Sequence, residues 1–136
     1  MDGCTEAVFN EAEKLKKVHI VNKQVRKAEE IAVNKVITLC GSTDFKYEYA
    51  RVNMLLTLAG NVVLSCGAFR EDFSEIEKHR GLLEEIHRKK INMSDIVFVI
   101  NCNNHIGEHT QSEIDYAIKK NKHIIYLEKI NGEKIL

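Results

Sequence analysis

The sequence predicts a doubly wound α/β fold, in which helices cover both faces of a parallel β-sheet. From about residue 36 onward, short apolar runs alternate with helical patterns, an order typical of right-handed strand–helix–strand units. The runs are rich in Val and Ile without polar alternation, which indicates strands buried on both faces. We expect the sheet order 2-1-3-4, with room for one further strand. The four predicted strands are Val36–Cys40, Val62–Cys66, Ile96–Ile100 and His123–Leu127.

The predicted helices between these strands have their own signals. Lys46–Ala59 carries apolar residues at helical spacing, and Gly60 follows it as a stop signal. A charged helix comes after the second strand, with oppositely charged pairs four residues apart. The third helix is Thr110–Lys120. Residues 35–136 are therefore expected to form one domain of the flavodoxin or Rossmann type.

Residues 1–34 are predicted to form an N-terminal helical arm. Within it, residues 5–33 carry a helical pattern, with Val18, Val25 and Ala32 at seven-residue spacing. Heptads over so short a stretch are a weak signal, so two interpretations remain. The helix either packs on the domain or serves as an arm for oligomerisation.

Composition excludes several classes of partner. The chain has 136 residues, enough for one domain with a sizeable core, and its 20 Lys plus Arg balance its 20 Asp plus Glu. Zero net charge gives no long-range attraction to a nucleic acid polymer or an anionic membrane. No apolar run approaches the roughly 18 residues of a membrane span, and the first residues do not resemble a secretory signal. We therefore expect a cytoplasmic protein whose four cysteines are reduced.

The chemistry of such a sheet is expected where its strands end. Ligands bind beyond the carboxyl ends of parallel strands, beside the switch in strand order. This rule selects residues 41–43, 67–70, 101–113 and those after 127, although loops of this kind are polar and glycine-containing in any case. Glycines in the first two segments let backbone N–H groups approach a sugar or a phosphate. The binding candidates in these segments are Gly41, Ser42, Thr43, Gly67, Asn101 and Gly107.

Glu113 has two competing interpretations. In the pattern Thr110-x-x-Glu113, its carboxylate would reach back to the Thr110 backbone N–H, as in a capping box at a helix start. Glu113 also lies beside the apolar stripe of Ile114, Ala117 and Ile118. From there its carboxylate would point to the carboxyl edge of the sheet and could act in catalysis.

His87 is the second candidate for catalysis. Leu83, His87 and Ile91 are spaced i, i+4, i+8, which puts this His on the apolar face of an otherwise charged helix. A lone His on such a face is often a satisfied core residue. We expect its ring to face the pocket rather than solvent.

Three cysteines raise a different hypothesis, a zinc site. Cys40, Cys66 and Cys102 each fall at or just after a strand end, so they could converge and bind zinc together with His87 or His105. No C-x-x-C pair supports such a site, and Cys is a common small buried residue. We therefore expect no metal and no cofactor.

One resemblance to a known family rests on three stretches, which are VITLCGS, HRKKINMSDIVFVIN and IGEHTQSEIDYAIKKNKHIIYLE. Together they resemble the nucleoside 2-deoxyribosyltransferase-like superfamily over roughly residues 36–128. Its members transfer deoxyribosyl groups between bases or hydrolyse 2'-deoxynucleoside 5'-monophosphates. The resemblance places the family's nucleophile, a Glu that attacks the anomeric carbon, on Glu113. It also implies a phosphate-contacting turn at Gly41 and Ser42, with Thr110 or Ser112 helping to hold the sugar or phosphate.

The chain differs from the characterised members at three places. Thr38 stands where they carry a tyrosine, His87 stands where they carry an aspartate, and the loop 107–113 is longer. A His in that position would suit a general acid for the leaving base, because its pKa lies near neutrality.

Three functions follow as hypotheses. The first is an N-glycosidic-bond enzyme for a small-molecule nucleoside or nucleotide, with Glu113 and His87 as catalytic residues and a homodimer or larger homo-oligomer as its assembly. The alternative is a non-catalytic nucleotide-binding sensor on the same fold. A scaffold that binds partners through its N-terminal helix is the third.

Overall fold

A four-stranded parallel sheet forms the centre of the protein, as the sequence predicts. The computed structural model describes residues 3–67 and 73–136. The strands pair in the order β2-β1-β3-β4, and every pairing is parallel. The strands are β1 (Val36–Gly41), β2 (Val62–Leu64), β3 (Ile96–Ile100) and β4 (His123–Tyr126).

Five helices within the described residues accompany the sheet. The helices are α1 (Gly3–Ile31), α2 (Lys46–Leu58), α3 (Phe73–Lys78), α4 (Arg80–Met93) and α5 (Glu108–Lys119). Two short 3₁₀ turns, Thr43–Phe45 and Cys102–Asn104, follow β1 and β3 directly. These turns carry the chain away from the sheet at the edge where ligands bind in folds of this kind.

Strand β2 is shorter than predicted, because it ends at Leu64 instead of Cys66. The carbonyl of Ser65, the next residue, accepts a hydrogen bond from Lys90 Nζ of α4 at 2.7 Å. Strand pairing therefore stops after Leu64, and the backbone of Ser65 is bonded to α4.

The sheet is covered on both faces, and each face has its own core. On one face, Ile37, Leu39 and Phe98 are fully buried against α1 and α2. On the other face, Cys40 of β1 and the β3 residues Val97 and Val99 belong to a core with Ile91 of α4 and Ile114 of α5. Burial of a large apolar side chain contributes about 1.5–3 kcal/mol to stability. Because successive side chains of a strand point to opposite faces and both faces are buried, every position favours an apolar residue, and the strands are unbroken apolar runs in the sequence.

Helix α1 is one continuous helix, and it packs against α2 through its C-terminal end. Ala28 is buried and Val25 packs against the core, whereas residues 11–20 are all exposed. Packing on the domain thus accounts for the last turns of the helix only. Within the described part of the chain, no helix is long and apolar enough to cross a membrane.

Asn61 joins three elements where α1, β1 and α2 meet. Its buried side chain accepts a hydrogen bond from the Lys35 N–H at 3.0 Å. Its amide nitrogen donates to the carbonyl of Ala32 at 2.9 Å and to that of Leu56 at 3.0 Å. These bonds satisfy backbone groups that the two helix ends would otherwise leave without partners.

Candidate functional site

A cavity of about 360 Å³ lies beyond the carboxyl ends of β1 and β2, between α4 and α5. The walls come from the end of β1, the residues after β2, the inner face of α4 and the start of α5. Eight of the ten residues singled out from the sequence lie on these walls, namely Gly41, Ser42, Thr43, Gly67, His87, Gly107, Thr110 and Glu113. Ala68, Phe69 and Arg70, which belong to the predicted ligand segment after β2, lie outside the described residues.

Two of the predicted binding residues lie away from the cavity. The side chain of Asn101 is buried, where its Oδ1 accepts from the Glu128 N–H at 2.8 Å and its Nδ2 donates to the Glu128 carbonyl at 3.0 Å. Asn101 therefore fastens the chain after β4 to the end of β3. Ser112 is exposed and lines a separate surface groove beside Arg88 and Tyr116, because it points away from the sheet on α5.

Gly41 forms part of the cavity wall at the end of β1, where it pairs with Ile100 of β3. A Cβ atom at this position would lie 2.7 Å from the carbonyl oxygen of Ile100, so a side chain has no room. The buried Tyr49 of α2 donates from its hydroxyl to the Gly41 carbonyl at 2.8 Å. Ser42 then starts the 3₁₀ turn, since its hydroxyl accepts from the Asp44 N–H at 3.2 Å. The turn that lines the cavity is thus fixed from both sides.

The capping-box interpretation of Glu113 is wrong. Helix α5 begins at Glu108, two residues earlier than predicted, and its N-cap is Gly107, which makes no side-chain cap bond. Thr110 is therefore already inside the first turn, and Glu113 is in the second. The Glu113 carboxylate instead lies 3.0 Å from Nε2 of His87, with a quarter of the side chain (26%) exposed.

His87 lies on the inward face of α4, as the spacing of Leu83 and Ile91 predicts, and only 9% of it is exposed. Its Nε2 contacts Glu113 of α5 and also lies 3.1 Å from Sγ of Cys40, at the end of β1. Burial raises the pKa of the Cys40 thiol well above its ordinary value, and the charge of Glu113 raises it further. At neutral pH Cys40 is therefore a thiol.

Thr38 does not line the cavity. It is fully buried, and its hydroxyl is hydrogen-bonded to that of Ser94. The Ser94 hydroxyl also donates to the Lys90 carbonyl at 2.8 Å. This network ties β1 to the end of α4, beneath the side chains that reach the cavity.

The rim of the cavity carries a polar chain that the sequence did not indicate. Arg80 donates to His109 Nε2 at 2.7 Å and to Glu77 at 2.5 Å, and His109 Nδ1 lies 3.3 Å from Glu84. These contacts connect α3 and α4 with α5 across the rim. Their positions on three separate helices gave no common sequence pattern.

The three cysteines of the zinc hypothesis do not all converge on one site. Cys102 packs against the core on the α1 and α2 face of the sheet, while Cys40 lies on the opposite face. Cys66 lines the cavity. Within residues 3–67 and 73–136, the set of side chains close enough to share a metal ion is Cys40, His87 and Glu113.

Fold and site together define a doubly wound α/β protein with a ligand-sized cavity at the carboxyl edge of its sheet. The imidazole of His87 and the carboxylate of Glu113 line that cavity, and the thiol of Cys40 lies next to both. No model of a known protein family matches the chain, and no curated protein does.

Proposed function

We propose that this protein is an N-glycosidic-bond enzyme that acts on nucleosides or nucleotides, by deoxyribosyl transfer or by hydrolysis. The observation that carries the proposal is the Glu113 carboxylate, which faces the cavity and contacts the buried His87 at 3.0 Å. A carboxylate in such a position can attack an electrophilic carbon of a bound ligand. The resemblance to the deoxyribosyltransferase-like superfamily supports the same residue as nucleophile.

The proposed reaction has two steps at one carbon. Glu113 attacks the anomeric carbon as the C–N bond to the base breaks, and a glycosyl–enzyme ester forms. Water or a second base then attacks the same carbon as the ester C–O bond breaks, which gives the free sugar or a new nucleoside, regenerates the carboxylate and returns a proton to His87. His87 holds the Glu113 carboxylate in place and lies close enough to the cavity to protonate the leaving base.

The dimensions and lining of the cavity suit a nucleoside or nucleoside monophosphate. A volume of about 360 Å³ falls at the lower end of the range of small-ligand pockets. Gly41, Ser42 and Thr43 offer a polar turn for the sugar or phosphate, while Leu83 and Ile86 of α4 give an apolar wall for the base. We place this reaction in the cytoplasm, where the Cys40 thiol stays reduced.

A nucleotide-binding sensor without turnover is the second candidate. His87 replaces the family's aspartate, and Thr38 replaces its tyrosine with a hydroxyl that bonds to Ser94 instead of a ligand. Loss of two ligand-orienting groups would leave binding intact and weaken catalysis.

A panel of 2'-deoxynucleosides, ribonucleosides and their 5'-monophosphates distinguishes these functions. Each is incubated with the metal-free protein, with and without an acceptor base, and free base is measured by chromatography. We expect free base to be released from at least one of these substrates. A reaction that also forms a nucleoside of the acceptor base is transfer, and one that does not is hydrolysis. A shift in melting temperature without any product would favour the sensor, and the absence of both would favour a scaffold.

We also propose that the protein is a homo-oligomer assembled through α1. Leu15 and Val18 are more than half exposed on this helix, ahead of the part that packs on α2. Light scattering is expected to give at least twice the monomer mass of 15.6 kDa, because burial of these side chains favours association.

Val18→Asp is expected to shift the mass toward the monomer, and Lys16→Asp serves as its control. A monomer at micromolar concentration would contradict this proposal.

A further inference from the structure

Three potential metal ligands converge at the cavity, and two of them, His87 and Glu113, line it. Cys40 Sγ, His87 Nε2 and a Glu113 carboxylate oxygen all lie within 4.8 Å of one another. We propose that these three side chains bind a divalent transition metal ion, and that their chemistry selects zinc. The inference needs no substrate, and it does not depend on the proposed glycosidic reaction.

The shared contact on one ring nitrogen distinguishes this arrangement from a proton relay. In a Cys–His–acid relay the thiol uses one imidazole nitrogen and the carboxylate uses the other. Here Cys40 at 3.1 Å and Glu113 at 3.0 Å both approach Nε2 of His87. The Cys40 thiol and the Glu113 carboxylate therefore do not use the two separate ring nitrogens through which a relay passes its proton. A metal ion takes one donor atom from each residue, which is what a convergence on a single point provides.

The separations between these atoms are close to those that tetrahedral zinc requires. With Zn–S near 2.3 Å and Zn–N and Zn–O near 2.0–2.1 Å, a tetrahedral angle places S and N about 3.5 Å apart and N and O about 3.3 Å apart. The observed distances are 3.1 Å for Cys40 to His87 and 3.0 Å for His87 to Glu113. An expansion of about 0.3–0.4 Å at each contact would admit the ion.

The three ligands come from three packed elements, the end of β1, α4 and α5. Cys40 is fully buried and His87 nearly so, so their positions are held by the surrounding core. His87 and Glu113 also line the cavity, which leaves a fourth position open to water or a ligand. Three protein ligands with one open position are typical of zinc sites at which exchange or catalysis occurs.

The donor types favour zinc over the hard cations. A thiolate and an imidazole suit zinc, whereas magnesium and calcium prefer oxygen ligands alone. Binding would release the proton of the Cys40 thiol to solvent and require an unprotonated His87 Nε2. The ion would also engage the Glu113 carboxylate, so zinc is expected to inhibit any reaction in which Glu113 is the nucleophile.

Cobalt(II) offers a direct test, because a cobalt–thiolate bond gives an ultraviolet charge-transfer absorption that needs no enzymatic activity. The 136-residue chain, without a histidine tag and stripped by a chelator, is titrated with cobalt and then with zinc. We expect one equivalent of cobalt to produce the absorption and zinc to abolish it. No absorption with the folded wild-type protein overturns the proposal.

Variants identify the ligands. Cys40→Ser is expected to abolish the absorption, and Glu113→Gln to weaken cobalt binding by about 100-fold or more, beyond the loss expected from outer-shell changes. Cys66→Ser and Cys102→Ser are matched controls that keep it, as is Cys4→Ser. An absorption that survives Cys40→Ser, or disappears in one of the controls, overturns the assignment. Circular dichroism of each variant checks that it is folded.

The two proposals can fail separately. Cobalt binding at Cys40 with no base released from any substrate would overturn the glycosidic function and leave the metal site standing. Base release by the metal-free protein, with no cobalt absorption, would do the reverse.

Discussion

Replacement of Glu113 by Gln is expected to lower turnover of the responsive substrate by roughly three orders of magnitude or more, with little change in folding. The substitution keeps the size and hydrogen-bonding reach of the side chain but removes the nucleophilic oxygen. Glu113 makes no cap bond at the start of α5, so no capping free energy is lost with the carboxylate. Steady-state and single-turnover rates of base release, together with a thermal melt, measure the two effects separately.

Asp115→Asn is the matched control for this experiment. Asp115 lies two residues further along α5, is exposed, and accepts a hydrogen bond from Gln111 at 3.0 Å. The change removes one carboxylate from the same helix without touching the cavity, so turnover is expected to stay near the wild-type value. Equal activity of Glu113→Gln and the wild type would show that another residue is the nucleophile.

The fold follows from the sequence to a large extent, because burial on both faces forces a readable pattern on the strands. Ile96–Ile100 is an unbroken apolar run and is a strand with those same limits. The second strand is shorter than its apolar run, since Ser65 bonds to Lys90 across the loop instead of to a neighbouring strand. That choice depends on a contact 25 residues away, which no local pattern contains.

The site residues were harder to predict from the sequence than the fold, because a polar residue at the end of a strand can either bind a ligand or bond to the backbone of the protein. Asn101 follows β3 directly and was a reasonable ligand candidate, yet its amide bonds to the backbone of Glu128. The start of α5 was misplaced because Thr110-x-x-Glu113 matches a capping box, whereas the extended backbone of Gly107 begins the helix earlier.

The spacing of residues within one helix predicted the position of a side chain, whereas the contacts between side chains of different elements could not be predicted from the sequence. The Leu83–Ile91 spacing indicated that His87 points inward, and its ring is buried. The convergence of Cys40 and Glu113 on the same ring nitrogen involves β1, α4 and α5, which are separated by long stretches of chain. The zinc hypothesis placed Cys40 with His87, but no pattern in the sequence added Glu113 to them. Only the packing of the helices on one face of the sheet brings them together.

The second large effect is expected at Gly41, where Gly41→Ala should lower the free energy of unfolding by roughly 2–4 kcal/mol. The added Cβ would lie 2.7 Å from the Ile100 carbonyl oxygen and 3.2 Å from the Ile100 Cβ. Both belong to β3, which pairs with β1 in the centre of the sheet, so neither can move without breaking ladder hydrogen bonds. The clash is with backbone, and no change of rotamer relieves it.

Gly81→Ala provides the comparison that isolates this steric effect. Gly81 lies in the first turn of α4, and a Cβ there would meet nothing within 4 Å. Because Ala favours a helix over Gly by up to about 1 kcal/mol, this variant should be as stable as the wild type or slightly more so. Thermal melts are expected to show a loss of roughly 7–14 °C for Gly41→Ala alone, given the unfolding entropy of a domain of this size. If both variants melt with the wild type, the close approach of β1 to β3 at Gly41 is not a constraint on this fold, and the cavity wall that it forms is less rigid than the contacts of Tyr49 and Ile100 imply.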